Sequence, residues 1–203
     1  MIPDLWSFEK KALKKGYSKI AGIDEAGRGP LAGPVVSAAV ILPDSLPVSG
    51  INDSKKLTPK NRESLFEEIY QHAVAVGIGI VGPSEIDRIN ILEASRFAML
   101  LAVENLFPKP DYLLVDGTFP IASKLPQEPI PKGDTLSISI AAASIIAKVT
   151  RDRMMAKYHQ EYPQFGFAQN KGYPTKTHKA AIKKYGCCPI HRKSFKGVKE
   201  HLK

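Results

Sequence analysis

The sequence predicts an α/β protein in which helices cover a mixed sheet. Helix-like and strand-like segments alternate along most of the chain, and two early strand-like segments lie close enough to form a hairpin. Hydrophobic residues make up 43% of the 203 positions, which supports a substantial core and argues against disorder. The length fits one domain, or one domain with a small appendage.

The first part of the chain predicts a short helix, the hairpin, a longer helix and a third strand. Apolar residues recur on one side of the opening segment, as in an amphipathic helix. The two hairpin segments are apolar, and the second is rich in β-branched residues. Thr58 followed by Pro59 is a typical helix start, because proline suits the first helical position. The predicted bounds are helix 1–15, strands 19–24 and 35–42, helix 58–71 and strand 74–81.

The second part predicts three helices and one short strand before the chain becomes basic and irregular. The first of these helices ends before Pro108, the middle one is rich in alanine, and Gly186 ends the last. The predicted bounds are helix 91–106, strand 112–115, helix 136–158 and helix 177–184. Four prolines in residues 118–132 favour a loop or an edge strand there.

Two adjacent carboxylates, Asp24 and Glu25, end the first predicted strand and precede the turn Gly27-Arg28-Gly29. Carboxylates bind hard divalent metals, glycines let the backbone approach a ligand, and arginine contacts phosphate. The segment therefore predicts a phosphodiester site, although a solvated turn would also explain the acids. A dinucleotide-binding fingerprint fits poorly, because the glycine spacing is one residue too long.

Asp116 also follows a buried-looking strand, and ligands of α/β sheets gather at the carboxyl ends of strands. If the two strands are neighbours, Asp24 and Asp116 converge. Glu25 would point to the other face of a regular strand, so it joins them only if the strand ends or bends nearby. Asp134 precedes the alanine-rich helix, where it either caps that helix or lies near its positive end.

Asp152 lies inside the same predicted helix, four residues after Lys148. This spacing predicts an ion pair on the helix surface, so we leave Asp152 out of the catalytic set. The five histidines have no regular ligand spacing, and no Ser-His-Asp arrangement competes with the carboxylates.

A series of motifs makes the chain resemble bacterial ribonuclease HII, the type 2 ribonuclease H. The motifs occur in the family's order and span residues 24–29, 31–36, 53–57, 115–117, 143–153, 171–175 and 189–195. The resemblance implies the ribonuclease H-like fold, with a five-stranded mixed sheet and a small helical C-terminal part. We expect an N-terminal helical segment (1–17), a catalytic domain (18–165) and a basic C-terminal substrate-binding part (166–203).

The resemblance also implies an endoribonuclease that hydrolyses RNA in RNA–DNA hybrids and cuts at single ribonucleotides embedded in duplex DNA. It implies cleavage by two metal ions, Mg²⁺ or Mn²⁺, that leaves 3′-hydroxyl and 5′-phosphate ends. Cations would relieve the repulsion among the implied catalytic residues and metal ligands, which are Asp24, Glu25, Asp116 and Asp134. The expected substrate-binding residues are Gly27, Arg28, Gly29, Lys55 and Tyr173.

Two of these assignments keep an alternative. In the family the tyrosine that matches Tyr173 stacks beside the ribonucleotide at an RNA–DNA junction, but a packing role would also fit its loop. Lys55 either contacts phosphate or is a solvated lysine. A noncatalytic nucleic-acid-binding protein of this fold would have lost carboxylates, whereas all four are present. A DNA nuclease or strand-transfer enzyme would not need both the Gly-Arg-Gly turn and the tyrosine.

The charge of the chain favours a polyanionic partner. There are 29 Lys and Arg residues against 20 Asp and Glu, a formal charge of +9. Between Lys171 and Lys203 the only acidic residue is Glu200, so this stretch is strongly basic. It predicts contact with the phosphate backbone of a hybrid or a ribonucleotide-containing duplex; a solvated basic face is the alternative.

No apolar run approaches the ~20 residues that a membrane helix needs, and no signal peptide is recognisable. We therefore expect a cytoplasmic protein without membrane contact, and a monomer. No motif identifies a protein partner such as a sliding clamp. Cys187 and Cys188 are adjacent, which disfavours a disulfide or a metal site, and they depart from the family pattern.

Overall fold

The computed structural model describes residues 4–44, 50–51 and 57–202. Lys55 lies outside the described residues, so its expected phosphate contact stays a prediction. The elements are helix α1 (Ser7–Lys14), strands β1 (Ile20–Ala26) and β2 (Val35–Ile41), α2 (Pro59–His72), β3 (Ala75–Val81), α3 (Pro83–Glu104), β4 (Tyr112–Asp116), β5 (Gln127–Ile130), α4 (Ile138–Glu161), α5 (Phe167–Asn170) and α6 (Lys176–Tyr185). A short 3₁₀ turn, Gly133–Thr135, precedes α4.

The strands form one mixed sheet in the order β3-β2-β1-β4-β5. β2 pairs antiparallel with both β1 and β3, whereas β4 pairs parallel with both β1 and β5. This arrangement confirms the predicted five-stranded mixed sheet and its initial hairpin. The proline-rich stretch contains the edge strand β5, in which Pro129 lies opposite Val115. Proline is tolerated there because an edge strand pairs on one side only and does not need every backbone N–H.

Helix α3 differs from its prediction. It begins at Pro83 rather than near residue 91, and it is kinked at Asn90, which has φ 68° and ψ 166°. The side-chain oxygen of Asn90 accepts a hydrogen bond from the backbone N–H of Leu92, at 2.9 Å, and so caps the second part of the helix. The prediction found only this second part, because the first part is largely polar and lacks a continuous apolar stripe.

Helices α4 and α3 cover opposite faces of the sheet, and small residues allow close packing. α4 lies against β1 and β2, and its buried alanines keep the helix near the strands. A Cβ atom at Gly22 of β1 would lie 2.1 Å from the backbone carbon of Ser139, so glycine is required there. This close approach places the start of α4 beside the end of β1.

The chain after α4 folds back onto the loop that joins β1 and β2. Leu31 and Ala32 of that loop share an apolar cluster with Phe167 of α5, Ile182 of α6 and Ile190. Ala32 also forms an isolated β-bridge with His191. The basic C-terminal stretch is therefore partly buried rather than a free tail. None of the helices in the described ranges combines the length and apolar character needed to cross a bilayer.

Candidate active site

The parallel pairing of β1 and β4 brings Asp24 and Asp116 together. Their last paired residues are Ile23 and Val115, and each aspartate comes next along its strand. One carboxylate oxygen from each of Asp24, Asp116 and Glu25 lies within 4.8 Å of the other two. The carboxyl ends of β1 and β4 thus hold a cluster of three carboxylates.

Glu25 joins the group although it follows Asp24 directly. β1 continues to Ala26 along β2, whereas its pairing with β4 ends at Ile23, two residues before Glu25. The backbone N–H of Glu25 donates to Oδ1 of Asp24 at 2.6 Å, and Oε1 of Glu25 lies 3.4 Å from Nη1 of Arg28. From the sequence, we expected Glu25 to join Asp24 only if the strand ended or bent there. In the structure β1 continues to Ala26, and Glu25 joins the cluster where the pairing with β4 has ended.

Asp134 lies beside the three carboxylates but outside their tight group. It is buried in the 3₁₀ turn before α4, and its charge contributes to raising the pKa of Asp24. It does not cap α4, because Ser137 holds that position and accepts a hydrogen bond from the N–H of Ile140. The backbone N–H of Gly133 donates to Oδ1 of Asp116 at 2.7 Å, which ties this turn to the site.

The carboxyl group of Asp24 is buried beside the other acids of the site. Burial raises the pKa of Asp24 well above its ordinary value, and the charges of Glu25 and Asp116 raise it further. The N–H of Glu25 opposes this effect only in part. A divalent cation would remove the conflict, and carboxylate oxygens are its preferred protein ligands, so the residues fit Mg²⁺ or Mn²⁺.

The Gly27-Arg28-Gly29 turn has different constraints at its two glycines. Gly27 has φ +102°, and a Cβ there would lie 2.1 Å from Nε of Arg151. At Gly29 the nearest atom to an added Cβ is Cε1 of Tyr173, at 3.6 Å. Gly27 is therefore required by the protein's own packing, whereas Gly29 keeps a surface beside the tyrosine open.

Arg192 holds the inner side of this turn, and the sequence analysis did not identify it. Its side chain is fully buried and donates to three carbonyl oxygens: Gly27 at 2.5 Å, Arg28 at 2.9 Å and Gly33 at 3.0 Å. Burial lowers the pKa of Arg192 to about 9. The carbonyl oxygens of the turn consequently point towards the interior.

Arg151 of α4 supports the following residues of the same loop in the same way. It is buried and donates to the carbonyl oxygens of Pro34 at 3.0 Å, Ala32 at 3.1 Å and Lys171 at 3.0 Å. A sequence signal existed for this residue. Arg151 lies four positions from Ala147, which belongs to the apolar face of the helix, so helical periodicity places the arginine on the buried side.

Tyr173 lies across the turn on a loop with a constrained backbone. Lys171 and Gly172 both have positive φ, and the N–H of Leu31 donates to the carbonyl of Gly172 at 2.8 Å. Tyr173 is 44% exposed, and it lines a cleft with the carboxylates, the Gly-Arg-Gly turn and Lys148. Its ring therefore faces this cleft and is not enclosed in the core.

Lys148 and Asp152 form the ion pair predicted from their spacing. Nζ of Lys148 lies 2.6 Å and 2.7 Å from the two carboxylate oxygens of Asp152. Asp152 does not belong to the cluster of three carboxylates formed by Asp24, Glu25 and Asp116. Its local partner explains this acid without a catalytic role.

Comparison with known proteins agrees with the geometry. The family profile described as Ribonuclease HII matches residues 21–198. A curated Ribonuclease HII from Geobacter sulfurreducens is 59% identical to this chain, over 98% of this chain and 92% of its own length. The chain belongs to the ribonuclease HII family. It is therefore a metal-dependent endoribonuclease that acts on RNA–DNA hybrids.

Solved structures of the ribonuclease HII family share its fold. Ribonuclease H2 from Pyrococcus horikoshii OT3 has a TM-score of 0.76 at 32% identity, over 90% of this chain and 96% of that one. The RNase HII of Archaeoglobus fulgidus, solved in a complex with PCNA, has a TM-score of 0.73 at 28% identity, over 88% and 96%. These likenesses confirm the predicted ribonuclease H-like fold.

Proposed function

We propose that this protein cuts DNA duplexes at single embedded ribonucleotides in addition to the RNA strand of hybrids, and leaves 3′-hydroxyl and 5′-phosphate ends. One observation supports this proposal above the others. The cluster of three carboxylates shares one cleft with Gly29 and Tyr173, so the acids lie beside an exposed glycine backbone and an exposed aromatic ring. A hybrid presents many ribose groups, whereas one embedded ribonucleotide must be recognised from one 2′-hydroxyl.

Asp24, Glu25 and Asp116 would bind the divalent ions, and Asp134 would complete the acidic site from its buried turn. When bound, two such ions would activate a water molecule and stabilise the leaving 3′-oxygen. The proximity of three carboxylates supports this assignment, because the charges of Glu25 and Asp116 raise the pKa of buried Asp24 and a cation would relieve this repulsion.

Gly27, Arg28 and Gly29 would position the ribonucleotide. Arg192 turns the carbonyl oxygens of Gly27 and Arg28 inward, so these acceptors do not face an approaching phosphate. Gly29 has no side chain, so its backbone stays exposed next to the ring of Tyr173, and a sugar would pack against both. A 2′-hydroxyl near the turn would distinguish RNA from DNA at this point.

The basic surface would bind the rest of the duplex through its phosphates. Lys148 lines the cleft, and exposed lysines such as Lys179 and Lys196 lie beside Gly29. The N-terminal, catalytic and C-terminal parts proposed from the sequence, with bounds at residues 17 and 165, remain our division of the chain. The cytoplasmic location and the monomeric state also stay predictions.

The deciding experiment uses three labelled duplexes: an RNA–DNA hybrid, a DNA duplex with one ribonucleotide, and the same duplex without it. We expect Mg²⁺- or Mn²⁺-dependent cutting of the first two, at a single position in the second, and none with excess EDTA. Extension of the product by a DNA polymerase would verify the 3′-hydroxyl. Binding without cutting would favour a noncatalytic protein, and cutting of the all-DNA duplex would favour a DNA nuclease.

The recognition residues are tested by Tyr173→Ala with Tyr185→Ala as its control. Tyr185 is a comparably exposed tyrosine at the end of α6 and is not part of the cleft lining. Tyr173→Ala should reduce cutting at a lone ribonucleotide more than cutting of a long hybrid, in which overall duplex shape assists binding. Equal losses on the two substrates would show that Tyr173 does not recognise the junction.

A further inference from the structure

A second cleft adjoins the cluster of three carboxylates, and Tyr173 is not among the residues that line it. It shares Glu25, Arg28 and Asp116 with the first cleft, and then continues between α3 and the segments that follow β4 and β5. The shared residues lie where the two clefts meet. A strand held at the carboxylates and leaving the first cleft would therefore enter the second without crossing another part of the protein.

The second cleft has the chemistry of a nucleic-acid strand site. Phe119 lines it and is 61% exposed, although burial of such a large aromatic side chain would be favourable. Arg96 and Lys132 line it as well, on α3 and beside the 3₁₀ turn. An exposed aromatic ring that shares a cleft with cationic side chains is the combination by which proteins bind a single strand, with the ring stacking a base and the cations neutralising phosphates.

The cleft wall is held in place by contacts within the protein. Nε of Arg96 donates to the carbonyl oxygen of Pro120 at 3.2 Å, next to Phe119. Oδ1 of Asp116 accepts from Gly133, which follows Lys132. Both sides of the cleft are thus fixed relative to the carboxylates, as a subsite for the reacting strand requires.

We propose that this second cleft binds the nucleotides that adjoin the cut on one side of the scissile strand. A base stacks on Phe119, and its neighbouring phosphates contact Arg96 and Lys132. The proposal rests on the proposed function, because it assumes that the scissile bond lies at the carboxylates. We place the scissile strand in this cleft, and not the complementary strand, because the cleft shares Glu25 and Asp116 with the cutting site.

The test uses DNA duplexes with one ribonucleotide in which the scissile strand is shortened to a single nucleotide on either its 5′ or its 3′ side. The complementary strand stays full length. For the wild type we expect kcat/KM to fall by about tenfold when one side is shortened, since stacking of a base contributes about this much. Shortening the other side should have a clearly smaller effect.

Phe119→Ala should lose about tenfold on the full-length substrate and nothing more when the same side is shortened. Phe119→Tyr should restore the wild-type pattern, because it keeps the stacking ring. Phe107→Ala is the matched control: Phe107 is 88% exposed but precedes β4, at the end of that strand away from Asp116. It should behave as the wild type. Urea unfolding of each variant checks that the fold is intact.

The proposal is overturned if neither shortening lowers the wild-type rate, or if Phe119→Ala loses activity equally on full-length and shortened substrates. It is also overturned if Phe107→Ala has the same effect as Phe119→Ala. A failure of the proposed function looks different, because the wild type would then not cut the full-length ribonucleotide substrate at all.

Discussion

Arg192 donates a 2.5 Å hydrogen bond to the carbonyl oxygen of Gly27, which lies 165 positions earlier in the chain. Two further bonds from the same guanidinium reach Arg28 and Gly33. Because Arg192 is fully buried, water cannot replace these contacts when they are lost. The C-terminal segment therefore holds the shape of the turn beside the carboxylates, in addition to the duplex binding that we propose for its basic surface.

This relationship predicts that Arg192→Lys impairs both stability and turnover. A lysine offers a single ammonium group and lacks the planar fork that reaches three carbonyl oxygens. We expect a loss of about 1–3 kcal/mol in urea unfolding and at least about tenfold in kcat/KM, because the turn moves relative to the carboxylates. Lys193→Ala, at the exposed neighbouring position, should change neither strongly. A folded Arg192→Lys enzyme with normal turnover would contradict the positioning role.

The two glycines of the turn should respond differently to alanine. Gly27→Ala places a Cβ 2.1 Å from Nε of Arg151 at a positive φ, so we expect destabilisation of at least about 1 kcal/mol. Among the described residues, an alanine at position 29 would contact only the ring of Tyr173, at 3.6 Å, so Gly29→Ala should leave the unfolding midpoint nearly unchanged. It should still slow cutting at a single ribonucleotide, because the methyl group covers the backbone surface beside Tyr173 against which a sugar would pack. Equal unfolding midpoints for the two variants would disprove this distinction.

Asp116→Asn should separate metal binding from folding. The change keeps the shape of the side chain but removes one negative charge, so we expect cutting to fall on the order of 10²-fold or more. In EDTA the variant should be at least as stable as the wild type, because loss of the negative charge at position 116 relieves the repulsion on buried Asp24. Mg²⁺ should raise the Tm of the wild type and raise that of the variant less. The same Mg²⁺ response in both proteins would remove Asp116 from the metal site.

The pH dependence of stability should reveal the buried pair His178 and His191. Their Nε2 atoms lie 3.1 Å apart, so one must donate and the other accept while both rings are neutral. Burial lowers the pKa of His191 to about 4, and burial also lowers the pKa of His178. Because the folded-state pKa is depressed, the neutral histidines contribute their full stability above pH 6.5, the pKa of an unfolded histidine. This contribution is lost as the pH falls towards 4.

We therefore expect the free energy of unfolding to fall between pH 6.5 and about pH 4, by up to about 1.4 kcal/mol per pH unit for each proton taken up. His191→Gln removes one of the protons, so its stability should fall less steeply over this range. His72→Gln, at an exposed position, should keep the wild-type slope. Urea unfolding at several pH values measures all three proteins. Parallel slopes for wild type and His191→Gln would rule out the pair as a source of the pH dependence.

The sequence by itself predicted the local elements and the position of most acids. Two apolar segments, the second rich in β-branched residues, predicted the strands of the hairpin, and the apolar run before Asp116 predicted β4. Such signals are reliable because burial of one strand or helix face is written into consecutive residues. The i,i+4 pair of Lys148 and Asp152 followed from helix geometry in the same way.

Only the tertiary structure decided how these pieces meet. Local residue patterns do not report the order of strands in a sheet, so the meeting of Asp24 with Asp116 was conditional on β1 and β4 being neighbours. Ser137 rather than Asp134 caps α4, which depends on backbone direction at the preceding turn. The role of Arg192 was hidden because a local pattern reports that a residue is buried, but not which distant carbonyl oxygens need its hydrogen bonds.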